Sequence, residues 1–188
     1  PGYAIEYAAV IRDQLSELDP QNTTYYARNY TAFEKEATAL SEAVASDQQS
    51  VPEGNLKLLT YHDAYAYFAE AFGWEVIGAL QPKNFSDPSP SAVASLIDQV
   101  IAEKVPTICG SEGFPSVVME EVGRATGVRY EDSLRDDDLP GAPGDPEHSW
   151  LGLMKYNFRT MVAGLGGTPT QLDAIAITPN TSEGAVYP

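Results

Sequence analysis

Three residues in this sequence bind metals or move protons by type, and all three fall at comparable places in the hydrophobic pattern. His62 follows the apolar run Lys57-Leu58-Leu59-Thr60-Tyr61. Glu112 lies just past Pro106-Thr107-Ile108-Cys109. Asp132 follows Val128-Arg129-Tyr130-Glu131. Imidazole and carboxylate together suit zinc, manganese or iron. They equally suit a general base held by an orienting acid. A histidine in such a place also serves as a hydrogen-bonded structural residue, and an aspartate before Ser133 as a turn residue. The residues alone leave these readings open. Asp63, beside His62, can cap a helix that starts at Ala64. The other histidine, His148, sits in Asp145-Pro146-Glu147-His148, whose composition reads as an exposed loop.

The motifs of the common enzyme classes are absent. The sequence has no Gly-x-Ser-x-Gly, no His-Glu-x-x-His, no phosphate-cradling loop and no Gly-x-Gly-x-x-Gly. Gly164-Leu165-Gly166-Gly167 follows a helical pattern and reads as a helix stop.

The elements that must position these residues follow from periodicity. Ala4, Ala8, Ile11, Leu15 and Leu18 recur on one helix face. Asp19-Pro20 interrupts the pattern, and Tyr26, Tyr30, Phe33, Ala37, Leu40 and Val44 continue it. Residues 1–50 are therefore one long kinked helix or two helices. Beyond Pro52-Glu53-Gly54 strands and helices alternate. Strands are expected at 57–61, 74–80, 106–109 and 128–131. Helices are expected at 64–72, from Val93 to Ile101, from Pro115 to about Thr126, and from Trp150 to Leu165. Alternation of this kind predicts an α/β fold: a long helix, then a (βα)4 lobe over 51–167 with a four-stranded parallel sheet flanked by helices. Residues 168–188 form a tail that is either loose or holds an edge strand at Ala174-Ile175-Ala176-Ile177. In open parallel sheets ligands gather beyond the carboxyl ends of the strands, which is where His62, Glu112 and Asp132 are expected.

Composition narrows the partners. The chain carries 27 acids and 11 bases, a net charge of −16, which repels nucleic acid and anionic membrane surfaces. No run is long and apolar enough for a membrane-spanning helix, and no basic, apolar leader opens the sequence. The lone cysteine, Cys109, lies in an apolar stretch and reads as a buried structural thiol. Four sequons, at Asn22, Asn29, Asn84 and Asn180, matter only in a glycosylating secretory route.

Several segments, taken in order, resemble one family. Ile11-Arg12-Asp13-Gln14-Leu15-Ser16-Glu17-Leu18-Asp19-Pro20-Gln21-Asn22 looks like its central helix. Tyr61-His62-Asp63-Ala64-Tyr65-Ala66-Tyr67-Phe68 looks like its HDAF.YF motif, and Glu131-Asp132-Ser133-Leu134 like its DSL motif. Leu153-Met154-Lys155-Tyr156-Asn157 looks like the start of its MM.YN helix. Over about residues 3–167 the chain resembles the metal-binding receptors of ABC transporters, solute-binding proteins that capture zinc or manganese outside the membrane. The resemblance implies two lobes joined by a long helix, with four protein ligands between them. It places the third ligand on His62 and the fourth on Asp132. The other two belong to an amino-terminal lobe that precedes the matched region. Glycine stands at position 110, where the family often has an acid, and Glu112 is expected to substitute as a partner of His62.

The implied protein is a binding protein and not an enzyme. It is the carboxy-terminal lobe of an extracytoplasmic receptor that passes a zinc or manganese ion to a membrane permease. Two other readings use the same residues. One is a small hydrolase with His62 as base and Asp132 or Glu112 as orienter. The other is an adhesion or interaction domain that uses the acidic loop 135–148 and keeps a vestigial metal site.

Overall fold

The computed structural model describes residues 1–81, 88–111, 116–136 and 138–178. Glu112 therefore lies outside the described residues, as do Pro115, Asn84 and Asn180.

The chain opens with two helices, α1 (Gly2–Leu18) and α2 (Thr23–Asp47), joined by a single 3-10 turn at Pro20–Asn22. They fold back on each other: the Arg12 guanidinium lies 4.3 Å from the centre of the Tyr30 ring, and the Tyr26 hydroxyl donates to Asp19 at 2.9 Å. The face of α1 that packs agrees with the expected one at Ala4 and Ala8 but not at its larger residues. Ala4, Ile5, Ala8, Ala9, Arg12 and Ser16 are partly covered, whereas Ile11 is 58% exposed and Leu18 82%. Small residues let the two helix backbones approach, so alanines set the contact face and larger apolar residues are left outside. In α2 the lower half of the predicted stripe is buried, with Ala37, Leu40 and Val44 at 0% exposure.

The lobe that follows alternates as β1 (Lys57–His62), α3 (Ala66–Phe72), β2 (Glu75–Gln81), α4 (Pro90–Glu103), β3 (Thr107–Ser111), α5 (Val117–Thr126), β4 (Arg129–Leu134) and α6 (Trp150–Gly164). Serine side chains start three of the helices. Ser89, Ser116 and Ser149 accept from the backbone N–H groups of Ala92, Met119 and Gly152, which satisfies donors that a helix start leaves open. Gly73 and Gly127 end α3 and α5 in the left-handed conformation.

All pairings in the sheet are parallel, in the order β2-β1-β3-β4. Both faces are covered, as a parallel sheet requires. Leu58 and Cys109 face a cluster built with Leu40, Val44, Phe158, Met161 and Val162 from α2 and α6. Leu59 and Ile108 face Leu96, Val100, Met119 and Val122 from α4 and α5.

Two boundaries differ from the sequence expectation in ways that matter. β4 runs to Leu134 because its ladder with β3 resumes beyond an irregularity, pairing Ser111 with Leu134. Asp132 thus lies within the strand and does not follow it. The tail segment read as loose or as an edge strand instead completes a short helix, α7 (Thr170–Ala174), and Ile175–Thr178 join no strand. The reason is a buried carboxylate: Asp47 accepts from the backbone N–H groups of Gln171 at 2.9 Å and Leu172 at 2.8 Å. Leu172 is thereby drawn into the core at 0% exposure.

Asp47→Ala removes the acceptor from two backbone donors at once and is expected to cost about 1–3 kcal/mol in urea unfolding. Asp47→Asn, which keeps one acceptor, is expected to cost less. Equal stability of the Ala variant and the parent would contradict this account of the tail.

Candidate metal centre

The strand order reverses between β1 and β3: the chain moves outward from β1 to β2, then returns to the far side of β1. α3 therefore packs on one face and α4 on the other, which makes the carboxyl ends of β1 and β3 a topological switch point. Open α/β sheets bind ligands at such switch points. His62, the last residue of β1, stands there.

Its backbone is fixed from two sides. The His62 carbonyl accepts from the hydroxyl of Thr60 at 2.7 Å and from the N–H of Ala64 at 3.0 Å. Thr60 is itself buried. The half-buried imidazole meets the Tyr61 ring edge to face, with centres 4.6 Å apart and planes at 87°. Asp63 does not perform the capping role open to it: α3 begins at Ala66, and its cap residue is Tyr65.

Asp132 is exposed on β4. β3 lies between it and His62, so their backbones are two strand spacings apart, roughly 10 Å. Among the described residues no three of His, Cys, Asp and Glu come together as a metal-holding group. Of the three residues proposed from sequence, the structure puts His62 and Asp132 on one edge of the sheet. His148, read as exposed, is half-buried, with Nδ1 3.2 Å from the Pro140 carbonyl.

The edge also holds polar groups that the sequence reading did not single out. The buried Ser111, at the end of β3, donates to Asp136 at 2.5 Å. Asn157 of α6 donates to the Arg135 carbonyl at 2.6 Å and accepts from the Arg135 N–H at 2.8 Å, which ties the chain leaving β4 to α6. Ser111 has the position to be noticed, directly after an apolar strand. Asp136 sits in an acidic run that reads as solvated surface.

Gly110 now has a physical reason. A Cβ there would lie 2.4 Å from the Tyr130 hydroxyl oxygen and 2.7 Å from Cε2 of its ring. The aromatic ring of β4 fills the place where a side chain on β3 would stand. Beneath the edge, Cys109 is buried, and burial pushes its thiol up to about 12. Burial also raises the phenol of Tyr65, with the nearby Cys109 and Asp136 adding to the effect.

His62 thus ends β1 and Asp132 lies in the carboxyl half of β4, in a four-stranded parallel sheet whose order switches at β1 and β3. The chain belongs to the family described as zinc-uptake complex component A, periplasmic, which it matches over residues 1–164. It is 26% identical over 161 residues to the manganese-binding lipoprotein MntA of Halalkalibacterium halodurans, covering 86% of this chain and 53% of that protein. It is 28% identical over 160 residues to the zinc-binding protein TroA of Treponema pallidum, covering 82% and 52%. The solved structure of TroA superposes with a TM-score of 0.71 at 26% identity, over 84% of this chain and 58% of that one. The Mn-bound periplasmic metal-binding protein of Candidatus Liberibacter asiaticus gives the same TM-score, 0.71, at 26% identity over 86% and 59%. The chain thus spans about half the length of the curated relatives it matches. The family is periplasmic by description and MntA a lipoprotein by name, which places it outside the cytoplasmic membrane. The described residues include no helix long and apolar enough to cross a membrane.

Two predictions concern the packing under this edge. Gly110→Ala is expected to destabilise by about 1–3 kcal/mol through overpacking. The loss should shrink when Gly110→Ala is made in a Tyr130→Leu background, and a double-mutant cycle by urea unfolding measures the difference. Cys109 gives a pH dependence. Its unfolded thiol ionises near pH ~8.5, while the folded thiol keeps its proton to about 12. Above the unfolded value the unfolded chain binds fewer protons than the folded one. Stability should therefore fall as pH rises through this window and be unaffected by this group below it. Cys109→Ala should flatten that fall in unfolding curves taken from neutral to alkaline pH.

Proposed function

We propose that this chain is the carboxy-terminal lobe of an extracytoplasmic solute-binding protein that captures a divalent transition metal, zinc or manganese, for an ABC importer. His62 and Asp132 are its two ligands. The observation that carries the reading is the place of His62, which stands rigidly held at the topological switch point where a sheet of this order binds its ligand. Asp132, two strands away on the same edge, supplies the carboxylate. Imidazole with carboxylate suits zinc and manganese alike, and the relatives named above include a zinc-binding and a manganese-binding protein.

The function is capture and release. An ion held by protein donors on all sides has no open position for substrate, unlike a catalytic zinc. The remaining donors come from a second lobe, which corresponds to the part of the relatives that this chain does not span. The exposed apolar side chains of α1 support a partner at that place: Tyr7, Val10, Ile11 and Leu18 form an uncovered stripe, and contiguous exposed apolar surface marks an interaction site. Glu112 remains the proposed support for His62.

Calorimetric titration of this chain with zinc and with manganese tests the assignment. Binding weaker than about micromolar is expected, because only two donors are present. It should be lost in His62→Ala and reduced in Asp132→Ala. Tight binding that survives His62→Ala would sink the assignment.

A further inference from the structure

A second site lies away from the sheet edge. A cavity of about 780 Å³ opens between α6, the loop that precedes it and the segment after α7. That volume is within the range of small-molecule sites. Its apolar wall includes Tyr156, Ile175 and Ile177.

Its charge runs against that of the molecule. The chain has 27 acids and 11 bases, yet Arg135, Lys155 and Arg159 all line this one cavity, against Glu147 and Asp173. Three positive charges minus two negative leave one positive in excess. Arg159 pairs with Asp173, and the Arg135 guanidinium stands 5.5 Å from the centre of the Tyr156 ring.

Lys155 is the decisive group. It is half-buried, and its ammonium donates to the Ile175 carbonyl at 2.6 Å. Among the described residues it has no carboxylate partner, although an ammonium has three donors. A partly buried charge is normally compensated. Here carboxylates outnumber cations more than twofold, and still none of the described ones reaches it. The Ile175 bond fixes the cavity wall and leaves the charge without a carboxylate among the described residues.

We propose that this cavity binds a small organic anion, a carboxylate carried on an apolar body. The carboxylate completes Lys155 and Arg159, and the body lies against Tyr156, Ile175 and Ile177. The site does not depend on the metal assignment, since neither His62 nor Asp132 lines it.

Hexanoate and hexan-1-ol, matched in apolar body, are the probes, titrated into the intact chain by calorimetry and followed by NMR on the lysine and arginine side chains. Saturable binding of hexanoate, with shifts at Lys155 and Arg159 and none for hexan-1-ol, is expected. Lys155→Met should weaken hexanoate about tenfold, the scale of one charge-assisted hydrogen bond, with metal titration unchanged. Equal binding of the alcohol overturns the proposal, as does the absence of saturation or hexanoate binding untouched by Lys155→Met. Thermal melts check that the variant folds. If it does not, Arg159→Gln must weaken hexanoate, and the comparison of the two probes on the parent chain decides.

Discussion

A parallel sheet exposes no face to water, and this one constraint sets most of what the lobe can do. β3 is buried along its whole length, and Leu58, Leu59 and Thr60 of β1 are buried beside it. The central strands β1 and β3 can present chemistry only where they leave the interior. At the amino ends the helices return and close over the sheet, as where Thr107 donates to the Gly164 carbonyl of α6. At the carboxyl ends the order β2-β1-β3-β4 sends successive helices to opposite faces and makes a topological switch point. His62, at the end of β1, stands where the strand leaves the interior. The same residue two positions earlier would be sealed in the core.

Much of this was legible because burial writes itself into residue type. β1 and β3 are short apolar runs bounded by turn residues, and the helix stripes of α4, α5 and α6 are regular. What was lost lies where packing overrides the largest side chains. On α1 the expected stripe holds only at Ala4 and Ala8, which are partly covered, while its larger members Ile11 and Leu18 stay exposed. The length of β4 depends on a ladder that resumes past an irregularity in β3, a register between chain segments that no single-strand pattern contains. The tail helix depends on Asp47, more than 120 residues earlier in the chain. At the sheet's carboxyl end, the place of His62 at the end of β1 was readable from the apolar run before it. The link between Ser111 and Asp136 was not, because it joins the end of β3 to the chain leaving its neighbour β4, 25 residues on.

Gly110 and Tyr130 show how a departure from a family pattern can have a local cause. Read along the sequence, the glycine looks like a missing acid. Read across the sheet, it is the partner of an aromatic ring on the next strand, which leaves no room for a Cβ. A side chain at position 110 therefore requires the ring of Tyr130 to move or to be replaced by something smaller. The acid's absence is therefore a statement about how β3 and β4 pack, and on the proposed reading it leaves His62 and Asp132 as the two donors of this lobe.

On the proposed reading, that number of donors is the basis of release. A receptor that hands its ion to a transporter needs affinity that can be switched off. Two donors on one lobe hold a transition metal poorly. Two such half-sites, joined through one chain, make the second half of the binding event intramolecular, so affinity rises steeply only while the geometry permits both to engage. α2, with 25 residues, is a rod about 37 Å long and restricts the ways in which lobes attached to it can meet. The pinning of His62 by Thr60 and Ala64 acts in the same direction. A half-site already fixed loses little freedom when the ion arrives, and parting the lobes then removes two donors at once without altering any bond within either.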